Sequence, residues 1–502
     1  MKALLLICFR HAIAFALCCA AGLLTLPAHA QETDASSDET AVLRAEMNEL
    51  QAQLRLLEAR ARSLEDRIDN VETAALDDQS DAAQRTDFAV GAPAAASFLA
   101  GSPAVPDPLL VLPPPADPGD TNLAAITWKG APELTAPGGW SFKPRGRIML
   151  DAGTVLAPDG VEDTALGFTS EARRIRLGVE GNLPGNFAYR ADFDIADGLQ
   201  PIDIYIDYTA GNFRARLGQH NHFQGLEEMT SSLFASFLER AAFSDAFGFE
   251  RRLGVSGEYG AGDLLLQGGV FTDDIDALGD DGNNAYSLDA RAVFMPKLGS
   301  AQLHLGGSAH WRDTGDALDT VRYRVRPLFH GSDVRFIDTQ AITAESETGL
   351  GLELAAISGP FHLAAESFWQ KVSRPALVDP VFFGAMVEAG LFLTRGDSRA
   401  YKQGAFARIV PANGLQDGGP GAWQANVRYE RLDLNDQGIS GGTQDAAMLS
   451  LIWTPTTYTR LMANYAHIRY EDAALLAGPA GAADATRNYS VDVMAMRAQL
   501  DF

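Results

Sequence analysis

The chain has 502 residues, and its 40 Lys and Arg against 65 Asp and Glu give a formal net charge of −25. Such an acidic chain is not expected to bind nucleic acid, because a phosphate backbone is bound by clustered Lys and Arg. Only six of the basic residues are Lys, so Arg dominates, and Arg is the side chain suited to planar, bidentate recognition of oxyanions.

Residues 1–30 are typical of a secretory signal peptide. Lys2 and Arg10 flank an apolar stretch that ends at the small-residue site Ala28-His29-Ala30. We expect cleavage before Gln31, which leaves 38 basic and 65 acidic residues and a net charge of 38 − 65 = −27. An uncleaved membrane anchor is the alternative, and the polar residues that follow the site disfavour it.

All three cysteines, Cys8, Cys18 and Cys19, lie inside this signal peptide. The exported chain is therefore predicted to lack thiols, which excludes disulfides, thiolate metal sites and cysteine nucleophiles. Beyond residue 30 no stretch offers the roughly 18 uninterrupted apolar residues that a membrane helix needs. Any membrane-spanning part must then be a closed β-barrel, the other structure that satisfies every backbone hydrogen bond in lipid.

Residues 31–76 are predicted to hold an α-helical coiled coil in the periplasm. Its apolar seam repeats every seven residues, with a second position four residues after each, at Leu43, Met47, Leu50, Leu54, Leu57, Ala61, Leu64, Ile68, Val71 and Ala75. Charged residues fill the other positions, and sustained heptads favour self-association. A lone amphipathic helix that packs on the barrel is the alternative.

Residues 77–139 are rich in Ala, Pro, Asp and Gly, with eight prolines between Pro93 and Pro118. This composition cannot build a core and predicts an extended Pro/Ala-rich linker. Local docking around Trp128 remains open.

From residue 140 to residue 502 the apolar pattern has a period of two. In the first strand Phe142, Ile148 and Leu150 alternate with Arg145 and Arg147. One face of each strand is thus apolar and the other charged, as expected of half-buried β-strands. For any single strand, a soluble sandwich would explain the pattern equally well.

Repetition favours a barrel, because short turns alternate with longer polar loops to the end of the chain. The predicted turns lie at Asn182–Asn186, Ala210–Asn212, Tyr259–Asp263, Met295–Ser300, Ser358–Pro360, Thr454–Tyr458 and, unusually long, Arg395–Gly421. The predicted loops include Thr272–Asn284, Asp313–Ser346, Asn435–Asp445 and Asp472–Arg487. This arrangement predicts an all-β, transmembrane antiparallel β-barrel of about 16 strands. The last strand, Val491–Phe502, ends on an aromatic residue and is similar to the signal that barrel-assembly machinery recognises.

Several segments between Phe142 and Phe502 resemble the phosphate-selective porin O and P family. They are Pro144–Arg147, Arg173–Gly181, Gly225–Ser232, Glu239-Arg240, Leu393-Thr394, Ser398–Lys402 and Gly421–Trp423. The resemblance implies a trimeric outer-membrane channel without enzymatic activity. The N-terminal coiled coil is similar to that of members described as taking up dicarboxylates.

In phosphate-type members, the ion lies at a constriction between strand arginines and an inward-folded third loop. The resemblance carries this role to Arg147, Arg173, Arg174, Asp203, Ser231, Ser232 and Arg240. Guanidinium and hydroxyl groups can replace the hydration shell of an oxyanion, and a nearby Asp keeps binding weak enough for release. The alternative is that the arginines only balance facing carboxylates of the lumen.

Two departures from the family pattern qualify this site. Glu228 stands where phosphate-type members have a Lys, and only five Lys remain after cleavage, so strict phosphate selectivity is not expected. Adjacent Arg173 and Arg174 cannot both face the lumen of a regular strand. Alternation favours Arg174 and Arg176, which leaves Arg173 for a loop edge or a β-bulge.

No enzyme motif is present: the chain has no Walker loop, nucleophile elbow or His-Glu-x-x-His. His220 and His222 lack a third ligand at metal-site spacing, so we predict no metal and no cofactor.

The expected function is passive diffusion of small anionic solutes, either phosphate-like oxyanions or dicarboxylates, across the outer membrane of a Gram-negative-type cell. The expected partners are outer-membrane lipid and two further copies in a homotrimer. The alternatives are a weakly selective general porin and an envelope tether that acts through the coiled coil.

Overall fold

The computed structural model describes residues 125–161, 163–279, 284–315, 320–478 and 485–502. The predicted signal peptide, the predicted coiled coil and residues 77–124 of the predicted linker lie outside the described residues. Over the described ranges, no helix has the length and apolar character needed to cross a membrane.

Sixteen antiparallel strands form one closed sheet, as the alternating pattern predicted. They are β1 Trp140–Leu156, β2 Gly167–Leu183, β3 Phe187–Asp194, β4 Gln200–Ala210, β5 Phe213–Asn221, β6 Arg251–Ala261, β7 Leu264–Phe271, β8 Tyr286–Phe294, β9 Ala301–Asp313, β10 Ser346–Ser358, β11 Phe361–Ser373, β12 Val381–Phe392, β13 Ala422–Asp436, β14 Ile439–Thr456, β15 Thr459–Glu471 and β16 Tyr489–Asp501. Each strand pairs with the next along the chain, and β16 pairs with β1 from Asp492↔Leu156 to Asp501↔Arg147. The sheet therefore has no free edge.

The C-terminal residue completes the closure. The backbone N–H of Gly146 donates to the carbonyl of Phe502 at 3.1 Å, and the N–H of Phe502 donates back at 3.0 Å. A Cβ at Gly146 would lie 2.3 Å from the Phe502 ring. Glycine is therefore required at residue 146 for the terminal aromatic ring to pack against the first strand.

The alternation of side chains follows the prediction over most of the barrel. Leu350, Leu352 and Leu354 of β10 point outward, while Glu347 and Glu353 of the same strand are buried inside. Exposed apolar side chains on the outside are what a lipid-facing barrel surface requires.

Most short turns lie at one end of the barrel and most long loops at the other; the exceptions are the two-residue turn Gln437-Gly438 at the loop end and the long turn 393–421 at the turn end. One predicted loop is wrong: β13 and β14 continue to Asp436 and from Ile439, so most of Asn435–Asp445 is strand around the two-residue turn Gln437-Gly438. Strand alternation continues through this stretch. The sequence predicted a loop there because most of its residues are polar.

The C-terminal part of the predicted linker also departs from an extended spacer. Ala125–Trp128 and Pro132–Ala136 pair as a hairpin, and the second of these strands pairs with the start of β1. Its turn residue Gly130 lies against the ring of Tyr458. The hairpin that contains Trp128 therefore docks on the start of the barrel, a possibility that the sequence left open.

The remaining elements are short and lie in loops and turns. The helices are Leu226–Met229 and Ala242–Ala246, with 3₁₀ turns Asp276–Gly279 and Leu415–Asp417. The short strands are Lys297–Leu298, Thr320–Val321, Arg324–Val325, Ile337–Asp338, Ile342–Thr343, Tyr401–Lys402 and Ala405–Phe406.

An apolar core fills one side of the barrel interior. Phe237 and Phe243 of residues 222–250 pack with Phe329 and Phe336 of residues 320–345, and all four are fully buried. They lie against inward apolar side chains of β11–β16, including Phe368, Phe382, Met448, Ile468 and Val493. Buried polar side chains such as Glu366, Glu388 and Arg428 also lie on this side, so the apolar core occupies only part of it.

Candidate pore constriction

Residues 222–250, here called the inner loop, cross the barrel interior and are fixed to the opposite wall. The carboxylate of Glu366 on β11 accepts the backbone N–H of Leu226 at 2.9 Å and that of the next residue at 2.8 Å. Asn464 on β15 accepts the N–H of Leu238 at 2.8 Å. These side chains replace the backbone partners that an irregular loop lacks.

Arg497 on β16 fastens the same loop to a third part of the wall. It forms two 2.7 Å hydrogen bonds with Asp151 on β1, and it donates to the carbonyl of Leu238 at 2.6 Å and to Glu239 at 2.8 Å. Charge-assisted bonds of this kind are stronger than neutral ones. The position of the inner loop is thus set by the wall on both sides.

The long turn, residues 393–421, enters the interior from the other end of the barrel. The N–H of Phe406 donates to the hydroxyl of Thr230 in the inner loop at 3.1 Å, and Arg291 on β8 donates to the carbonyl of Gly404 at 2.8 Å. Arg399 is buried over the ring of Phe406. The interior is therefore narrowed from both ends.

A polar cavity of about 810 Å³, here called the chamber, lies between the inner loop and β2–β6. Five of the predicted site residues line it, namely Arg173, Arg174, Arg176, Glu228 and Arg240. Glu239, Arg251 and Glu430 line it as well. Of the described residues predicted for the site, Arg147, Asp203, Ser231 and Ser232 lie outside this lining.

A β-bulge allows both adjacent arginines to face the chamber. On the paired strands Met149 lies opposite Arg174, while Leu150 lies opposite Ala172, so Arg173 is an extra residue without a partner on β1. The bulge expected from the arginine pair is present. Its effect differs from that expectation, because Arg173 points inward instead of leaving the lumen.

Three arginines lie around the carboxylate of Glu239 in the inner loop. Arg173 forms a bidentate pair with it at 2.8 and 3.1 Å, Arg497 donates at 2.8 Å, and Arg174 lies 3.8 Å away. These arginines outweigh the cost of burial and hold the pKa of Glu239 well below its usual range. The sequence placed Glu239 in a family motif and gave it no role.

Two further carboxylates on the wall pair with arginines. Arg176 on β2 donates to Asp194 at 2.8 Å. Asp203 on β4 accepts from Arg251 at 2.6 Å and lies 3.4 Å from Arg190. Arg176 and Asp203 thus belong to neighbouring ion pairs along one wall.

Glu228 and Arg240 form a pair within the inner loop. Their closest atoms lie 3.0 Å apart, and Arg240 also donates to the carbonyls of Glu227, Glu228 and Thr230 at 3.0–3.1 Å. Burial raises the pKa of Glu228 to about 7, and Arg240 and Arg251 counteract only part of that rise. Arg240 therefore organises the loop backbone, and Glu228 changes charge near neutral pH.

Arg147 differs from the other arginines. Its Nη1 donates to the hydroxyl of Ser232 at 3.0 Å, and within the described residues it forms no ion pair. The charged groups that act on it most strongly are Arg176, Arg145 and Arg190, ahead of Asp192. A buried guanidinium beside other cations and a hydroxyl is an arrangement that an oxyanion would complete.

The remaining predicted serine and the histidine pair have local roles. Ser231 accepts the N–H of Leu233 at 3.4 Å. The ring of His220 lies 3.1 Å from the hydroxyl of Ser256 and 2.8 Å from the carbonyl of Asn221. The ring of His222 bonds instead to Asp289 on β8.

Comparison with known proteins relates the barrel to porins. The profile of the family described as phosphate-selective porin O and P matches residues 142–502. A Caulobacter vibrioides protein described as uncharacterized is 45% identical over 436 residues, 84% of this chain and 86% of that protein. An anion-selective porin from Comamonas acidovorans has 12% identity and a TM-score of 0.47, over 72% of this chain and 100% of that chain. The outer membrane channel DcaP of Acinetobacter baumannii has 13% identity and a TM-score of 0.44, over 73% and 99%.

Proposed function

We propose that this chain, which belongs to the phosphate-selective porin O and P family, is a passive diffusion channel that prefers small anions. As a porin, it forms a channel in the outer membrane. The preference for anions is the proposal, and it rests on the charges of the constriction instead of the acidic net charge. Exposed charges are screened beyond about 10 Å at 0.1 M salt, so groups at the narrowest point decide which ions pass.

One observation carries the proposal: Arg147 is buried with Arg176, Arg145 and Arg190 acting on it more strongly than Asp192, and within the described part of the chain its side chain hydrogen-bonds only to Ser232. A buried cation without a counterion is costly. A passing oxyanion would accept hydrogen bonds from the guanidinium and the hydroxyl together and would supply the missing charge. Arg174 adds to this field, because over the described ranges its Nε has no hydrogen-bond partner and the carboxylate paired with it, Glu239, lies 3.8 Å away.

The proposed solutes are inorganic oxyanions and small dicarboxylates. Strict phosphate selectivity is not part of the proposal, because Glu228 occupies a position where phosphate-type members carry Lys. Carboxylates that compete for Arg173 and Arg176 would keep the residence of an anion short. Fast release is what a diffusion channel requires.

A weakly selective general porin is the second candidate, and the paired arginines favour it. Arg173, Arg176 and Arg240 each bind a carboxylate of the protein, so their charges are largely neutralised within the wall. If Arg147 and Arg174 add little net positive charge to the constriction, its ion pairs would create a transverse electric field without a preference for anions or cations.

Reversal potentials in planar bilayers distinguish the two candidates. The full mature chain is measured in a potassium chloride gradient, and phosphate and succinate are then tested as competitors of chloride conductance. We expect an anion-preferring reversal potential and partial block by both competitors. A reversal potential near zero, without block, would support the general porin and reject the anion channel.

We further propose that the mature chain begins at residue 31 and that residues 31–76 form a trimeric coiled coil in the periplasm. The heptads of the sequence support this arrangement, and the resemblance to a family with trimeric members implies the same number of copies. Residues 77–124 would then span the distance between the coil and the barrel as a linker. An envelope tether that acts through the same coil is compatible with this arrangement.

A further inference from the structure

Three side chains from different parts of the chain converge beside the inner loop. His222 lies at the start of that loop, Asp289 on β8 and His310 on β9, and their potential ligand atoms lie within 4.8 Å of one another. The Nδ1 atoms of His222 and His310 lie 3.0 and 2.8 Å from the same oxygen, Oδ1 of Asp289. All three residues are more than nine-tenths buried.

We propose that His222, Asp289 and His310 bind one divalent transition-metal ion, which clips the start of the inner loop to the barrel wall. Two imidazoles and one carboxylate are a donor set that suits zinc, cobalt or nickel. Adjacent ligands of an ion bound at about 2.1 Å lie about 3.0 Å apart in six-coordinate geometry and about 3.4 Å apart in tetrahedral geometry. The two histidine–aspartate separations are therefore close to those around a bound ion, and the ligand atoms of the two histidines lie within 4.8 Å of each other.

The hydrogen-bonding groups of the cluster are unevenly satisfied, because one carboxylate oxygen has several partners and two other polar atoms have none within the described ranges. Oδ1 of Asp289 faces both Nδ1 atoms and also accepts from Nε2 of Gln224 at 2.7 Å. Three nitrogen atoms thus surround one oxygen, whereas Oε1 of Gln224 and Nε2 of His222 are buried and have no hydrogen-bond partner among the residues that the structure describes. A cation at this focus removes the crowding, and rotation of the Gln224 amide would supply its oxygen as a fourth ligand.

The surroundings also fit a bound ion. The hydroxyl of Ser287 donates to the other oxygen of Asp289 at 2.8 Å, which orients the carboxylate to present Oδ1. The rings of Phe249 and Phe271 lie against His222 and exclude water. The charges of Arg252 and Arg312 lie near the cluster, and the carboxylates of Glu347 and Asp273 offset part of this positive charge.

This site differs from the pair set aside in the sequence. His220 and His222 are two residues apart, but only His222 takes part, and its partners lie 67 and 88 residues further along the chain. Because it joins the loop to two strands, the ion would stabilise the position of the inner loop. It adds a structural cation site to the channel and does not depend on the proposed anion preference.

Metal binding by the untagged, full mature chain tests the proposal. After treatment with a chelator and its removal, calorimetric titration with Zn²⁺ is expected to give one ion per chain with micromolar or tighter affinity. His310→Ala is expected to weaken binding about a hundredfold, while the control His330→Ala, a histidine paired with Glu171 outside the cluster, leaves it unchanged. Absence of Zn²⁺ binding by the folded wild-type chain, or equal binding by His310→Ala, would overturn the site.

A spectroscopic measurement on the wild-type protein covers the case in which His310→Ala fails to fold. X-ray absorption at the zinc edge of the loaded wild-type chain is expected to show two imidazole ligands and oxygen ligands. A spectrum with oxygen ligands alone would place the ion on surface carboxylates and overturn the proposal.

Discussion

Arg147 and Arg176 are direct cross-strand partners on β1 and β2, yet of the two only Arg176 has a carboxylate, Asp194, at hydrogen-bond distance. Like charges directly opposite each other destabilise a sheet. Ser232 gives Arg147 a hydroxyl acceptor and no compensating charge. Asp501, the partner of Arg147 on β16, pairs with Arg408 instead. A mobile anion would therefore supply a countercharge to Arg147, which is the physical basis of the proposed selectivity.

The first prediction concerns Arg147. Arg147→Ala removes the uncompensated charge and is expected to lower the permeability ratio of chloride to potassium about fivefold at 0.1 M salt, since a buried charge in the barrel interior is poorly screened by salt. Reversal potentials measure the ratio. Arg469→Ala, which removes an exposed arginine of β15, serves as the control and leaves the ratio unchanged. An unchanged ratio in Arg147→Ala would make Arg147 a purely structural residue.

The second prediction concerns pH. Burial raises the pKa of Glu228 to about 7, so this carboxylate gains its charge as the pH rises through neutrality. We expect anion preference to be greater at about pH 6 than at about pH 8, and Glu228→Gln to remove the difference. Glu228→Lys is expected to strengthen anion preference at both values. Equal reversal potentials of the wild-type channel at the two values would contradict this role.

The same raised pKa has a consequence for stability with a defined sign. The folded chain holds a proton on Glu228 that the unfolded chain releases between its usual pKa of 4.5 and about 7. The protonated Glu228 thus adds to the free energy of unfolding. This stabilisation is fully present below that pH window and is lost as the pH rises through it. Glu228→Gln should therefore flatten the decline of unfolding temperature over this range.

Local rules predicted the wall of the barrel and part of the site. Alternation with a period of two gave the strands and their lipid-facing side, and two adjacent arginines on one strand gave the bulge at Arg173. Of the predicted residues that line the chamber, the family resemblance named Arg173, Arg174 and Arg240, alternation named Arg176, and a departure from the family pattern named Glu228. Each of these features depends on neighbours in sequence or on one repeated spacing.

What the sequence could not predict depends on distant contacts. The inward Phe368 and Ile468 look like ordinary apolar positions until loops from elsewhere in the chain cover them. Glu239 acquires its role from Arg497, which lies 258 residues away. The cluster of His222, Asp289 and His310 forms only when the barrel closes. Periodicity contains no information on such pairings.

The third prediction tests the bulge. Deletion of Arg173 removes the unpaired residue and brings β1 and β2 into continuous register, so the barrel is expected to fold, with Glu239 less neutralised and cation permeability increased. Deletion of Ala172 is the matched control. It would place an arginine opposite Leu150 on the lipid-facing side, so we expect no folded barrel on heat-modifiability gels. Equal folding of the two deletions would show that the register is not fixed as described.

The fourth prediction concerns assembly. If the heptads hold three copies together, mass measurement in mild detergent gives a trimer for the mature chain. Deletion of residues 41–76 is then expected to raise the concentration below which the trimer dissociates and to remove the helical circular-dichroism signal. A chain that is monomeric in mild detergent, and unaffected by the deletion, would reject the trimeric coil.

The last prediction concerns the anchoring of the inner loop by Arg497. This side chain is almost fully buried and satisfies Asp151, the carbonyl of Leu238 and Glu239 at once. Arg497→Ala would leave the buried carboxylate of Asp151 without a partner, at a cost of roughly 3–5 kcal/mol. We expect a lower unfolding temperature in detergent together with a noisier, larger single-channel conductance, because the loop that narrows the pore has lost one of its fastenings. The double variant Arg497→Ala with Asp151→Asn removes the orphaned charge and should recover part of the stability while the conductance stays noisy. If the double variant restores both properties, the arginine acts only by balancing Asp151, and the inner loop is held by its other contacts.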